Sequence, residues 1–210
     1  MNLQILNKYF IPTSILDIGV HQAQFYSIAK NFFPNASFFL IEGNTSCEPL
    51  IKTLNVPFLI KVLGKENKKG IFYKTKESQA SSGESLYREI TPHFSDEKLI
   101  KEDIDIFTLD SLLSDKTFDL IKIDTQGSEL DILAGGMNLA KKSKGIILEV
   151  SVKKYNEGAP LYDEVVQFMH DNGFIEKECL DEKNIVTNYN LEIHQKDILF
   201  INKNYIKHDA

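Results

Sequence analysis

The sequence predicts an α/β fold built on one mostly parallel sheet with helices on both faces. Three observations carry that expectation. Short apolar runs alternate with helical patterns across turns, the rhythm of βαβ units. Right-handed crossovers stack such units into a single sheet. The 210 residues, 42% hydrophobic and 26% charged, suit one globular domain spanning 1–210 better than a fibrous or disordered chain.

Ser14 to Ile18 (SILDI) is a compact apolar run ending at Gly19, after which Phe25, Ile28, Ala29 and Phe32 fall at helical spacing until Pro34 stops them. Ser37 to Ile41 reads as the second strand, and Pro49 suits the first turn of a short helix over Glu48 to Leu54. Pro57 to Leu63 (PFLIKVL) reads as the third strand. Phe118 to Ile123 is the fourth; Ser128 is then a candidate N-cap before Leu130, Leu133, Ala134 and Met137 at helical spacing. Gly145 to Val150 is the fifth strand, and Leu161, Val165, Phe168 and Met169 mark a helix that Gly173 would close. Phe174 to Leu180 and Asp197 to Asn202 read as two closing strands.

Residues 66–107 break this rhythm. Ile71 to Thr75 and Ile104 to Leu109 would pair as extra strands around a polar segment, Lys76 to Lys101, expected to be a loop with a short helix. Loops of that length in compact domains are usually functional or disordered, and the preferred reading is a lid over a site, against a solvated insertion.

Composition narrows the function. A net charge of −6 and a pI near 5.4 oppose binding to nucleic-acid phosphates and anionic lipid. No apolar run approaches the ~18 residues a membrane helix needs, and Met1 to Phe10 lacks a signal-peptide pattern, so a cytoplasmic location is expected. Cys47 and Cys179 match no metal-type spacing, which argues against structural zinc.

Open α/β sheets bind ligands at the carboxyl ends of their strands. The polar residues there are Asp17, Gly19 and His21, then Glu42 and Asn44, Gly64, Asp124 and Gln126, and Glu149. Ionised carboxylates only accept hydrogen bonds, so this edge suits a ligand bearing hydroxyls or positive charge and disfavours phosphate. Glu42, 25 positions after Asp17, stands where an acid accepts from the hydroxyls of an adenosine ribose. Its structural alternative is a carboxylate at a helix N-terminus. Gly19 is followed by VHQAQF rather than by the further glycines of a dinucleotide fingerprint, so a pyrophosphate is poorly accommodated. Asp17 would hold the loop through backbone N–H groups or reach a cofactor ammonium. S-adenosylmethionine, with a ribose, an ammonium, a sulfonium and no phosphate, meets these constraints together. A nicotinamide-dependent oxidoreductase and a non-catalytic ligand-binding or interaction module are the rival readings.

The segments LDIGVHQAQF (Leu16 to Phe25), FFLIEGN (Phe38 to Asn44), TLDSLL (Thr108 to Leu113), DILF (Asp197 to Phe200) and above all DLIKIDTQGSELDILAGG (Asp119 to Gly136) resemble the FkbM-type S-adenosylmethionine-dependent methyltransferases. The resemblance implies a Rossmann-like sheet of seven strands in the order 3-2-1-4-5-7-6, with O-methylation of a hydroxyl on a sugar, glycan or natural product. It matches Asp17 and Gly19 to the cofactor loop, Glu42 to the ribose binder and Asp124 to the acid beside the transferring methyl. The chain departs from the family pattern at His21 in place of Asn, at Ala23 in place of the second glycine, and at Glu42-Gly43 in place of Glu-Pro.

Methyl transfer is an in-line displacement that relies on orientation, and a hydroxyl acceptor also needs a general base. Asp124 is the first candidate, against a structural role orienting the cofactor amine or capping the turn at Gly127. His21 is the second, because its ordinary pKa suits proton abstraction near neutrality. Glu129 reads as a helix first-turn residue. Glu149 would bind acceptor hydroxyls, or would join Asp124 around a divalent cation if one is used. Ser81, Ser82, Glu84, Ser85 and His93 in the long segment would face the acceptor, a small molecule or glycan. Oligomeric state is not legible.

Overall fold

The computed structural model describes residues 1–76, 83–187 and 190–206, the side chains of residues 93, 184–187 and 190–193 excepted. A short 3-10 helix, Leu3–Lys8, precedes β1 (Ser14–Ile18), α1 (Gln24–Phe32), β2 (Ser37–Glu42), α2 (Glu48–Thr53) and β3 (Phe58–Ile60). Next come β4 (Val62–Leu63), β5 (Lys68–Thr75), β6 (Leu99–Phe107), α3 (Leu109–Leu112), β7 (Leu120–Ile123), α4 (Glu129–Ala134) and α5 (Met137–Ala140). The chain closes with β8 (Gly145–Ser151), α6 (Tyr162–Asp171), β9 (Phe174–Thr187) and β10 (Asn190–Asn202).

Seven strands form one sheet in the order β3-β2-β1-β7-β8-β10-β9. Numbered within this sheet alone, that order is 3-2-1-4-5-7-6. Every pairing from β3 to β8 is parallel, and β10 runs antiparallel to both its neighbours. The central strands are apolar almost throughout because both faces are covered. On one face Leu16, Ile121, Ile146 and Leu148 pack against Ile132, Leu133, Val165 and Met169 of α4 and α6. On the other, Ile15, Leu40, Leu120, Ile147 and Leu199 pack against Ala29 and Phe33 around α1 and against Leu3 and Leu6. Burying each such side chain stabilises the fold by roughly 1.5–3 kcal/mol.

The structure revises several boundaries. The expected third strand is two: the Lys61 N–H donates to the Glu42 carbonyl at 2.8 Å, and the chain then leaves the main sheet as β4. β4, β6 and β5 make a separate three-stranded sheet whose inner face is Val62, Phe72 and Ile106. The strand expected over Ile104 to Leu109 stops at Phe107, because the Thr108 side chain accepts from the Ser111 N–H and caps α3. Ser128 does not cap α4 with its side chain; its hydroxyl donates to Thr125 Oγ1 instead. The closing strands are much longer than their apolar segments, since they satisfy each other across an antiparallel ladder and β9 lies at the sheet edge. Pro49 lies in the first turn of α2, and Gly173, at φ +89°, follows α6 as its closing glycine. No described helix is long and apolar enough to cross a membrane.

Candidate active site

Two cavities open at the carboxyl ends of β1, β2 and β7. The first, with about 580 Å³ of space open to solvent, is lined by Glu42, Asn44, Leu63, Glu84, Ser85 and Leu86 among others. The second is lined by Asp17, Gln22, Lys122, Asp181, Lys183 and Asp197 among others. Gly19, His21, Asp124 and Gln126 line both, so the cavities meet at the loops that follow β1 and β7.

Glu42 ends β2 and is 7% exposed. Its Oε2 accepts from the His21 N–H at 2.8 Å and its Oε1 from the Asn44 N–H at 2.7 Å. Burial raises its pKa, and these backbone donors oppose the rise. A carboxylate offers about four lone-pair sites, so acceptor capacity is left for a ligand hydroxyl beside these backbone donors. Asn44 caps the 3-10 helix Thr45–Cys47 by accepting from the Ser46 N–H at 2.9 Å, and its amide donates to Glu84. Burial pushes Glu84 up to about 7, opposed by Lys74 and helped by Glu42.

Asp17 is interior to β1 and 1% exposed, and its Oδ2 is buried without a hydrogen-bond partner. Burial drives its pKa up to about 7, against the pull of Lys122. An unpaired buried acceptor is costly, and this one borders the second cavity, where a ligand ammonium would satisfy it. An unpartnered buried carboxylate oxygen at Asp17 and free acceptor capacity at Glu42 fit a ligand that carries an ammonium and hydroxyls, as S-adenosylmethionine does.

The loop after β1 is tightly wound. Gly19, His21 and Ala23 have φ of +84°, +47° and +59°. Ala23 is 2% exposed, packs in the core and lines neither cavity. Gln126 and Gly127 at the end of β7 also have positive φ, +55° and +107°. Glu129 holds that turn, its carboxylate accepting from the N–H groups of Thr125 at 2.8 Å and Gly127 at 3.0 Å, which bears out its structural reading.

Asp124 sits among charges. Lys122, whose side chain is 2% exposed, lies 2.7 Å from Asp197 and 3.4 Å from Asp124. Lys183 lies 3.7 Å from Asp124 and pairs closely with Glu149. Burial works to raise the Asp124 pKa, but Lys122 and Lys183 outweigh it and hold the carboxyl well below the usual range. Glu149, 3% exposed, lines neither cavity and is raised well above its ordinary pKa by burial and by Asp124. The carboxylates of Asp124, Glu149 and Asp197 approach within 4.8 Å of one another, with the two ammonium groups already among them.

The strand-end residues thus converge, with exceptions. Gly64 packs under Ile106 and against Gly135 rather than lining a cavity. Glu84 and Ser85, expected to face an acceptor, line the first cavity beside Glu42. Ser81, Ser82 and the His93 side chain lie outside the described residues. The segment beyond Gly83 is tied down: Asn156 Nδ2 donates to the Tyr87 carbonyl at 2.9 Å, the Ile90 N–H to that of Tyr155 at 2.9 Å, and the Tyr87 hydroxyl to Asp131 at 3.0 Å. Lys122, Lys183, Gln195 and Asp197 escape the sequence reading. The lysine inside the apolar run LIKI is a signal that would have found Lys122; the others reach the site only through the closing hairpin.

No curated protein matches the chain in sequence. Its fold is similar to that of TehB from Haemophilus influenzae, at TM-score 0.53 and 8% identity, over 97% of this chain and 62% of that one. Precorrin-6y C5,15-methyltransferase from Geobacter metallireducens GS-15 aligns at TM-score 0.49 and 17% identity, over 90% of this chain and 80% of that one. The N-terminal domain of EvdMO1, crystallised in the presence of SAH and D-fucose, aligns at TM-score 0.49 and 12% identity, over 95% and 80%. At these identities the likeness concerns fold. The model of the methyltransferase FkbM domain matches residues 18–176, which include the β1 loop, Glu42, Asp124 and Glu149. The chain therefore belongs to the FkbM methyltransferase domain family, and its cofactor is S-adenosylmethionine.

Proposed function

We propose that the protein transfers a methyl group from S-adenosylmethionine to a hydroxyl of a sugar, glycan or natural product. The observation that carries this reading is the meeting of the two cavities at Gly19, His21, Asp124 and Gln126. When bound, the cofactor supplies an electrophilic methyl on a sulfonium. Glu42 accepts from the ribose hydroxyls, Asp17 receives the ammonium, and the β1 loop holds the cofactor against the end of β7. The acceptor meets the methyl group where the two cavities join, at Gly19, His21, Asp124 and Gln126. The acidic wall of the second cavity, with Asp17, Asp124, Asp181 and Asp197 against Lys122 and Lys183, disfavours phosphate, which supports a hydroxyl-bearing small molecule over nucleic acid as the acceptor. Asp124 takes the hydroxyl proton, and His21 is the alternative base.

The test is calorimetric titration with S-adenosylmethionine, followed by a radiolabelled methyl-transfer screen over sugars, glycans and small natural products at neutral pH. Label in an alkali-stable ether product supports the reading. Label only in amines or nucleic acid rejects the acceptor class.

A further inference from the structure

We propose that Asp124 and Glu149 form one proton-sharing pair at the transfer point, in which Glu149 is a positioning residue acting through Asp124 and Lys183 of β9 sets the pair's charge. The catalytic consequence of the pair rests on the hydroxyl-acceptor reading; the pair itself does not.

Two donors each touch both carboxylates. Lys183 Nζ hydrogen-bonds Glu149 Oε1 and lies 3.7 Å from Asp124 Oδ2. Gln126 Nε2 donates to Asp124 Oδ1 at 3.1 Å and also to Glu149 Oε2. Gln195 Nε2 supports the bridge, 2.9 Å from Glu149 Oε2 and 3.2 Å from Gln126 Oε1. The two ends differ in access: the Asp124 side chain is 25% exposed and that of Glu149 is 1% exposed. Asp124 therefore meets the cavities, and Glu149 works only through its partners.

Charge decides how many protons the pair holds. Lys122 of β7 and Lys183 of β9 offset Asp124 and Asp197 of β10, so a second ionised carboxyl at Glu149 is uncompensated. Asp17 of β1, Glu129 of α4 and Tyr155 of the β8–α6 connection also act on the two carboxyls, and none of them is cationic. Like charges this close in a buried site do not both ionise readily, so one proton belongs to the pair as a unit. The raised Glu149 and lowered Asp124 agree with that arrangement.

Asp124 alone, held ionised by two lysines, is a weak base near neutrality. With both carboxyls ionised the pair takes up a proton far more readily. Transfer to a hydroxyl forms the O–CH3 bond, breaks the S–CH3 bond, and passes the hydroxyl proton to Asp124 and thus to the pair. The family match ends at residue 176, so Lys183, Gln195 and Asp197 come from the hairpin beyond it.

Carbon-13 NMR titration of Asp and Glu carboxyls, on the ligand-free full chain, reads the pair without any acceptor. In wild type the Asp124 and Glu149 signals should move together, in a step above the usual carboxylate range. Glu149→Gln should abolish that step. Lys183→Met, at a half-exposed position that leaves the fold intact, should move it upward by roughly one pH unit or more. Independent titrations in the ordinary range overturn the pair, as does a step that Lys183→Met leaves in place. With a hydroxyl acceptor, wild-type turnover should rise with pH through the shared step, and Glu149→Gln should lose that limb and at least tenfold in rate. A Glu149→Gln enzyme that keeps the limb overturns the positioning role. A joint titration with no turnover of any hydroxyl acceptor supports the pair and counts against the acceptor reading.

Discussion

Gly19 and Asp124 meet backbone to backbone: a Cβ on Gly19 would lie 1.8 Å from the Asp124 carbonyl oxygen. The loop after β1 is thus laid directly on the end of β7, beside the candidate base. Gly19 also has φ +84°, a conformation that L side chains rarely adopt. Gly19→Ala meets both obstacles at once. The expected result is destabilisation by about 3 kcal/mol or more, with S-adenosylmethionine binding lost even where the variant folds. Thermal melts and calorimetry check it; a variant with wild-type affinity would show that the loop has room it does not need.

Glu42 ties the same loop to the end of β2 through the His21 and Asn44 N–H groups. Hydrogen bonds to a charged group contribute about 1.5–3 kcal/mol each, so losing the ribose acceptor in Glu42→Ala should weaken cofactor binding about 10- to 100-fold. Glu42→Gln keeps one acceptor oxygen and should fall between. The variants should remain folded, with a stability loss of about 1–3 kcal/mol from the freed N–H groups. Unchanged affinity in Glu42→Ala would remove the ribose role.

The residues legible in the sequence are those whose chemistry contradicts their surroundings. Asp17 inside SILDI, Glu42 ending SFFLIE and Asp124 after LIKI are acids attached to buried strands, and their strand-end positions follow from topology alone. Lys122 carried the same contradiction, a lysine inside an apolar run, and the structure supplies its partner, Asp197 at 2.7 Å. Lys183 and Gln195 had no such mark, because they lie in the polar outer halves of β9 and β10, whose order comes from their mutual ladder. The split of the third strand was hidden for a similar reason: PFLIKVL is apolar except for Lys61, the residue between β3 and β4, and a single lysine does not mark a break until the second sheet is seen to take Val62 and Leu63.

Cofactor affinity should depend on pH through Asp17. Burial lifts this carboxyl to about 7, and an ammonium is best received by its ionised form. Below about 7, affinity should therefore fall by up to tenfold per pH unit, and above it should level off. Stability of the ligand-free protein runs the other way. The folded group keeps its proton to about 7 while the ordinary carboxyl releases it near 3.8, so its contribution is full below 3.8 and is lost as pH rises through 7. Asp17→Asn should flatten both profiles, with weaker binding at pH 8. Calorimetry and melts across pH 5–9 measure this, and an unaltered binding profile in Asp17→Asn would reject the assignment.

Ser85 couples the long segment to the turn that follows β7. Its hydroxyl lies 2.8 Å from the Thr125 carbonyl and 3.0 Å from that of Gln126, and accepts from the Tyr87 N–H at 3.2 Å. Its backbone pairs with Tyr73 of β5. Ser85→Ala leaves these groups short of a partner in a site 1% exposed, a cost of about 1–3 kcal/mol. Because the turn carries Gln126, which borders both cavities, cofactor affinity and acceptor turnover should fall together. Asn156→Ala removes instead the bond to the Tyr87 carbonyl, made by a side chain that is 1% exposed and lies on the far side of Tyr87 in sequence from Ser85. It should raise the acceptor KM several-fold while leaving S-adenosylmethionine affinity within about twofold. Equal losses in the two variants would mean that the segment acts as one rigid roof; a split of the kind expected would divide it into a cofactor-side anchor at Ser85 and an acceptor-side rim at Asn156.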